Sequence, residues 1–511
     1  MQELLVVGSH NSMLINKENR ALLKKISLEI QPDKIDFFLS SGRNPITNLE
    51  RSNKALVKWR FSQEKTKKNS LPEEVTPYTI TSMKDAQNLS RRSTNFSQWF
   101  FLVALLVVSW VNVTHSMIYD NRFFPFIKPP YISVKDNYSY ADIDCFITTA
   151  RSAWGENDEN IGIPELFGFF DEHQLAAAIE KTGKPNPLIE AFPTDIDILL
   201  MELPWKMNGK IQAQGMSFGM RKTIWKDWLS IGFSWLFMRV DSGQTFASLI
   251  NEQAIHSQTT IDQLDALRKS MEHEIGITCA HSSQVGMGDL DAYLRIGNIW
   301  DYVLKCRRIQ AGLSVGALVA TGEPKIINEP ASVPFGGNGH SGFYASIDAE
   351  FELKEDFKVG LLLRGSKRLA RTCIHRMPAC KEPSIFGAVV GRARVNPGPT
   401  AVFAPYAMFE NLRDGFGALV QFTLTNHFSD HWHDERPDKS TVPANTEILE
   451  KLSDWRSSYV TMYGFYDFGK MKVKRNFDPI FTVQWDIPVT VCDAHASVKT
   501  QKITLGFEFN F

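Results

Sequence analysis

The chain has 511 residues, 56 Lys+Arg against 57 Asp+Glu, a formal charge of −1 and 43% hydrophobic residues. That balance argues against attraction to nucleic acid by bulk charge, and the apolar content argues against global disorder. Six cysteines are too few for a disulfide scaffold, and a mean hydropathy of −0.20 excludes a polytopic helical membrane protein but not a transmembrane barrel, whose strands are only half apolar.

Residues 1–82 are polar, rich in Lys, Ser and Asn, and carry no recognisable chemistry. They read as a leader of unknown role or as an over-called start, with Met83 as the alternative first residue. Residues 83–116 read as a signal peptide. Arg91 and Arg92 precede the apolar run Trp99–Val113, and Thr114 and Ser116 stand at the −3 and −1 positions of a small-residue exit. The alternative for that run is a single anchoring helix. Residues 117–138, aromatic and Pro-rich, read as a short periplasmic segment.

From 139 onward the sequence alternates with period two, the mark of a strand with two unlike faces. In 342–353, Phe343, Ala345, Ile347, Ala349, Phe351 and Leu353 share one face, and Tyr344, Ser346, Asp348, Glu350 and Glu352 the other. Leu229, Ile231, Phe233, Trp235 and Phe237 alternate likewise, as do Ile309 to Val319 and Ala418 to Leu424. Twelve strands are predicted near 139–151, 210–222, 228–240, 287–301, 305–321, 341–354, 357–370, 400–412, 416–428, 457–468, 478–489 and 499–511. The second, eighth and tenth have the weakest alternation, and boundaries of this kind leave about ten to fourteen strands open. Long and short connections take turns, starting with a long one at 152–209 and a short one at 223–227. Tight turns on one rim and long loops on the other are the habit of transmembrane barrels. Helical patterns at Leu175–Glu180 and Ile261–Glu274 fall in two of the long loops.

The chain ends KITLGFEFNF, with Ile503, Leu505, Phe507, Phe509 and Phe511 on one strand face. Exposed to water, an aromatic terminal edge would aggregate; lipid removes that problem. This segment resembles the C-terminal signal of bacterial outer-membrane β-barrel (porin-like) proteins, and the alternation extends the resemblance, at class level, over 139–511. It implies an all-β fold, an antiparallel transmembrane barrel in the bacterial outer membrane, with lipid around it. It also implies the barrel-insertion machinery as a partner, reading Leu505, Phe507, Phe509 and Phe511.

With apolar residues facing lipid, the lumen receives Asp289, Asp291, Arg295, Arg308, Asp348, Glu350, Glu352, Lys358, Arg364 and Arg368, together with Asp142, Asp144 and Asp486. A hairpin through 354–357 sets Glu352 opposite Lys358 and Ser346 opposite Arg364. Charged rows of this kind tune which solutes pass a pore. A lumen closed by salt bridges is the alternative, since twelve strands lie between a filled barrel and an aqueous channel. The expected function is passive diffusion of small solutes, with no catalytic residues, no cofactor, no nucleic-acid partner and a homo-oligomer possible. The alternative is a non-conducting surface barrel whose long loops bind a partner.

Four further patterns have a chemical reading. His427, His431 and His433, among Asp430, Asp434 and Glu435, have metal-ligand chemistry but match no closed structural spacing, so a solvated cluster is the default. His427-Phe428-Ser429 sets His and Ser two apart, as in outer-membrane phospholipase A. The flanking Gly and Ser-Asn of that motif are absent, and the alternation turns both residues to the lumen, leaving a hydrolase as the third reading. Cys373 and Cys380 form a candidate loop disulfide, Cys145, Cys279, Cys306 and Cys492 are scattered, and Gly336-Gly337-Asn338-Gly339 lacks the Lys-Ser/Thr of a phosphate loop and reads as a flexible turn.

Overall fold

A computed structural model of the chain describes residues 120–125, 127, 139–225, 228–250, 258–470, 478–492 and 494–510. The leader 1–82 and the signal segment 83–116 lie outside these residues. Twelve long strands form one closed antiparallel sheet: β1 (Tyr140–Ala150), β2 (Pro204–Trp225), β3 (Leu229–Ser248), β4 (Leu290–Asp301), β5 (Arg308–Val319), β6 (Gly342–Lys354), β7 (Phe357–Arg368), β8 (Pro399–Arg413), β9 (Phe416–His427), β10 (Trp455–Asp467), β11 (Asp478–Pro488) and β12 (Gln501–Asn510). Each strand pairs with its neighbour in sequence, and β1 with β12 closes the ring. Tyr140 and Asn510 pair at the rim that carries the short turns, so both ends of the barrel sequence lie there. The hairpin register is as the sequence predicts, Glu352 opposite Lys358 and Ser346 opposite Arg364. The two-residue connection at 355–356, with Asp356 at φ 66°, holds it in place.

The outward faces are apolar on strand after strand. Ile143, Ile147, Phe233, Leu294, Leu313, Val315, Phe343, Ile347, Val420, Val483, Ile503 and Leu505 are exposed, while the residues between them are mostly buried. Trp225, Trp228, Trp300 and Tyr302 gather at the short-turn rim. An outward apolar belt with aromatic residues at its edge is stable against hydrocarbon and costly in water. No described helix is long and apolar enough to cross a membrane.

Two strands outrun their sequence prediction. β2 begins at Pro204 and β3 runs to Ser248, where loops were expected up to 209 and from 241. The extra turns of this hairpin stand beyond the belt, and their inward residues Trp205 and Met207 meet a second core. That core joins helix α1 (Glu172–Lys181), helix α2 (Gln258–Glu274) and Phe386 through Leu175, Ile179, Leu264 and Met271. The loops at this end thus build a cap with its own apolar interior. Asp171 caps α1, its carboxylate accepting from the His173 and Gln174 amides.

Glu172, next in sequence, is fully buried in the cap, and neither carboxylate oxygen meets a hydrogen-bond partner. Burial pushes its pKa up to about 8, against the pull of Trp205 and Arg268. A carboxyl whose folded pKa exceeds its unfolded value stabilises the fold below the unfolded pKa, and that stability is lost as pH rises toward the folded value. Cap stability is therefore expected to fall between about pH 4.5 and 8, by roughly 3–5 kcal/mol for a shift of that size. Glu172→Gln is expected to abolish this fall. Hydrogen exchange of the α1 amides at pH 5.5 and 8, corrected for intrinsic rates, checks it: equal protection at both values in the wild type would show a carboxyl titrating normally.

Candidate functional site

Inside the barrel the polar residues form paired charges rather than separate rows. On β4, β6, β7 and β8 they climb from the short-turn rim to the long-loop end. Lys358 bridges Glu350 at 3.2 Å and Glu410 at 2.6 Å, and the Tyr406 hydroxyl donates to Glu350 at 2.8 Å. Arg295 holds Asp348 with two hydrogen bonds, at 2.9 and 2.5 Å. Asp291 accepts from Tyr344 at 2.7 Å and Arg364 at 3.2 Å, and the Arg364 guanidinium lies 3.4 Å above the Tyr344 ring. At the top Arg368 bridges Asp289 and Asp120, each at 2.6 Å. Lys502 and Asp486 pair on the opposite wall at 3.0 Å.

Small residues make these arrangements possible. A side chain at Gly297 or Gly312 would collide with the Arg295 guanidinium, and one at Gly316 with the Tyr344 ring. Strand glycines of this sort mark close approach by another group. Gly336 and Gly337 do the same at the top. The Gly337 amide donates to Asp289 at 2.8 Å, and a Cβ at Gly336 would stand 2.0 Å from that carboxylate. The Gly-rich stretch, expected as a flexible turn, is thus seated on the buried Arg368–Asp289 pair.

The ten charged residues assigned to the lumen from sequence do not all meet there. Asp289, Asp291, Arg295, Asp348, Glu350, Lys358, Arg364 and Arg368 belong to the network just described. Arg308 lies at the short-turn rim with Asp301, at 3.1 Å, and Glu352 is nearest Arg307, at 3.4 Å. Although Lys358 faces Glu352 in register, its ammonium reaches the diagonal acids Glu350 and Glu410. Side chains two residues along a neighbouring strand are within reach of a long lysine.

Sequence reasoning missed two features of the interior. First, the inward faces of β1 to β3 near the long-loop end are apolar: Phe146, Ile211, Ala213, Leu236, Met238 and Val240. Second, the described part of 117–138 lies within the barrel at that end and covers this apolar wall with Phe123 and Phe124. Asp120 meets Arg368, Arg122 donates to the Leu452 carbonyl at 3.0 Å, and the Gln484 amide donates to the Ile127 carbonyl at 2.9 Å. The uninterrupted apolar run Trp235–Met238 in β3 was the available signal, since a strand covered on both faces loses its alternation.

Above the network a cavity of about 840 Å³ opens among the loops, lined by Arg122, Phe167, Lys325, Arg376, Asp430 and Trp455 among others. His427 stands on its wall with both ring nitrogens engaged, one with Thr400 Oγ1 at 2.8 Å and the other with Asp430 at 3.0 Å, and its ring stacks on Trp455. His431 is 76% exposed, and among the described residues no three His, Cys, Asp or Glu side chains converge as a metal site. The His427–His431–His433 cluster is therefore not assembled: the turn at 428–430 leaves His427 on the cavity wall, while His431 and His433 sit on the exposed side of a short strand, His431–Asp434. His427 does face inward, as its alternation predicts, and its partner is Thr400, not Ser429. Cys373 and Cys380 are both free. The strand Arg371–Met377 carries Cys373 away from the turn that holds Cys380, at about 3.3 Å per residue.

No protein-family model matches the chain, and no curated protein matches it. Among solved structures it is similar to an outer-membrane channel from Pseudomonas putida F1, at 10% identity and a TM-score of 0.38, covering 75% of this chain and 100% of that one. It is also similar to a Pseudomonas aeruginosa FadL homologue, at 9% identity and TM-score 0.28, covering 78% and 98%. A third is the Pseudomonas putida toluene transporter TodX, at 10% identity and TM-score 0.25, covering 78% and 94%.

Proposed function

We propose that the protein is an outer-membrane barrel that carries small solutes across its lumen. The observation behind this reading is the pairing of two opposite faces on one closed sheet, an apolar belt outside and a largely polar, charge-paired interior. A closed barrel satisfies every strand hydrogen bond in lipid, and polar barrel interiors line the water-filled channels of porins. Barrels of this kind are delivered to the outer membrane, and the face Leu505, Phe507 and Phe509 of β12 is the surface offered to the insertion machinery. Phe511 completes that face in the sequence and lies outside the described residues.

Single-channel recording of the full chain, folded into a planar bilayer and checked by heat-modifiable gel mobility, tests the reading. Stable open steps are expected. Neutralising Asp348, Glu350 and Glu352 together is expected to lower the cation-to-anion permeability ratio by several-fold, because it removes three carboxylates, frees Arg295 and leaves Lys358 with Glu410 alone. A folded, inserted barrel that never conducts would remove the channel and leave the loop cap as the working surface.

A further inference from the structure

The cavity at the long-loop end has an unusual charge balance. Arg122, Lys325, Arg371 and Arg376 all line it, and among the described lining residues Asp430 is the one carboxylate. That carboxylate is already engaged, accepting from His427 and from the Gly398 amide at 2.8 Å. Arg376 donates only to neutral acceptors: the carbonyls of Ile327, Ile275 and Gly387 and the Asn328 amide oxygen. Arg371 donates to the Gly339 carbonyl. Among the described residues no oxygen accepts from the Lys325 ammonium; it sits 4.5 Å from the centre of the Phe167 ring, and the Arg122 guanidinium sits 4.6 Å from the same ring. Cations gathered in a partly desolvated space, and outnumbering the carboxylates beside them (Asp430 and, next to Arg122, Asp454), repel one another and favour an anion that enters.

The volume, about 840 Å³, suits a small organic ligand. The apolar part of the lining, Phe123, Phe167, Ile374 and Trp455, suits a flat hydrocarbon body. We infer that this vestibule is a binding site for small aromatic monocarboxylates, whose carboxylate is held by Lys325 and Arg122 and whose ring lies against the apolar part of the lining. The inference concerns equilibrium binding and stands whether or not the lumen conducts.

Lys325 also supplies a signature. Burial, together with Arg122 and Arg376, pushes its pKa down to about 7. His375, also on the wall, is pushed down to about 4 by burial, His340 and Lys325, so it is neutral at physiological pH. Arg376 is lowered to about 10 by burial and stays charged. His427, Asp430, Arg122 and Arg371 complete the titratable and charged groups facing the cavity, with Asp454 acting on Arg122. An entering carboxylate restores the proton on Lys325.

Isothermal titration of the full chain in detergent micelles tests the site, with benzoate as probe and benzamide as its neutral counterpart. At pH 6 and low salt, benzoate is expected to bind at least ten-fold more tightly than benzamide. Lys325→Met and Arg122→Gln are each expected to weaken benzoate at least ten-fold while leaving benzamide unchanged. At pH 8, titrations in buffers of different ionisation enthalpy are expected to show uptake of close to one proton per benzoate, abolished by Lys325→Met. Equal affinity for benzoate and benzamide in the wild type would overturn the proposal even if neither variant folds. So would benzoate binding that Lys325→Met leaves unchanged, or an absence of benzoate binding at millimolar concentration.

Discussion

Replacing Arg368 with Met is expected to destabilise the barrel by about 3–5 kcal/mol, the usual cost of leaving buried charge without its partner. Arg368 is the one cation in contact with both Asp289 and Asp120, which are fully and almost fully buried. Asp289 in turn accepts from the Gly322 and Gly337 amides, so the pair anchors the loop between β5 and β6 to the top of β4. Asp120 anchors the described residues 120–125 at the top of the lumen. The loss is therefore expected to be both energetic and local. The denaturation midpoint in micelles should drop, the Gly322 and Gly337 amides should lose exchange protection, and the chain around residue 120 should become open to protease. Arg368→Lys, which keeps the charge but not the fork, should fall between wild type and Met. Asp289→Asn combined with Arg368→Met should recover part of the loss, because one of the two orphaned carboxylates is gone. An Arg368→Met protein as stable as the wild type would show that the buried pair contributes nothing net.

The second large effect distinguishes lipid from water around the barrel. Ile347 is 53% exposed at the middle of β6, flanked in register by the outward Leu313 and Leu363. In lipid, Ile347→Arg places a guanidinium near the bilayer midplane and is expected to cost about 2–4 kcal/mol, whereas the same change near an interface costs about 0–1 kcal/mol. Tyr302, 82% exposed in the short turn between β4 and β5, provides the interfacial comparison. Folding yield into phosphatidylcholine vesicles at graded urea should drop sharply for Ile347→Arg and little for Tyr302→Arg. Ile347→Ala should be mild, because it leaves an apolar group in lipid. If the outer face met water, Ile347→Arg would be harmless or would improve solubility. That result would overturn the membrane reading, and with it the proposed function. The benzoate site would be unaffected, since it sits among the loops above the belt.

The limits of sequence reasoning show in particular residues. The alternation in Phe343–Leu353 placed Tyr344, Ser346 and Asp348 inward, and it did so because one strand meets two different media, so the pattern is written locally at every second position. The short connection at 355–356 made the register Glu352↔Lys358 legible for the same local reason. The two loop helices were visible through their own periodicity. The partners of Lys358, by contrast, depend on β8, because Glu410 lies on the strand after the next long loop. The Arg308 and Glu352 positions near the rim carry the same side-chain chemistry as the network above them, and only their height in the barrel removes them from it.

The amino-acid sequence by itself determined the barrel class: about twelve antiparallel strands, their apolar outward faces, and long loops gathered at one rim. Each of these follows from period-two patterning and turn spacing within a few residues. Only the tertiary structure decided how the interior is used. It brought Arg368 to Asp120 and Asp289, seated Gly336 and Gly337 on that pair, laid Phe123 and Phe124 against an apolar lumen wall, and gathered Arg122, Lys325 and Arg376 around one cavity. Those contacts join segments far apart in the chain. Their energies come from desolvation and close approach in three dimensions, quantities that no local pattern records.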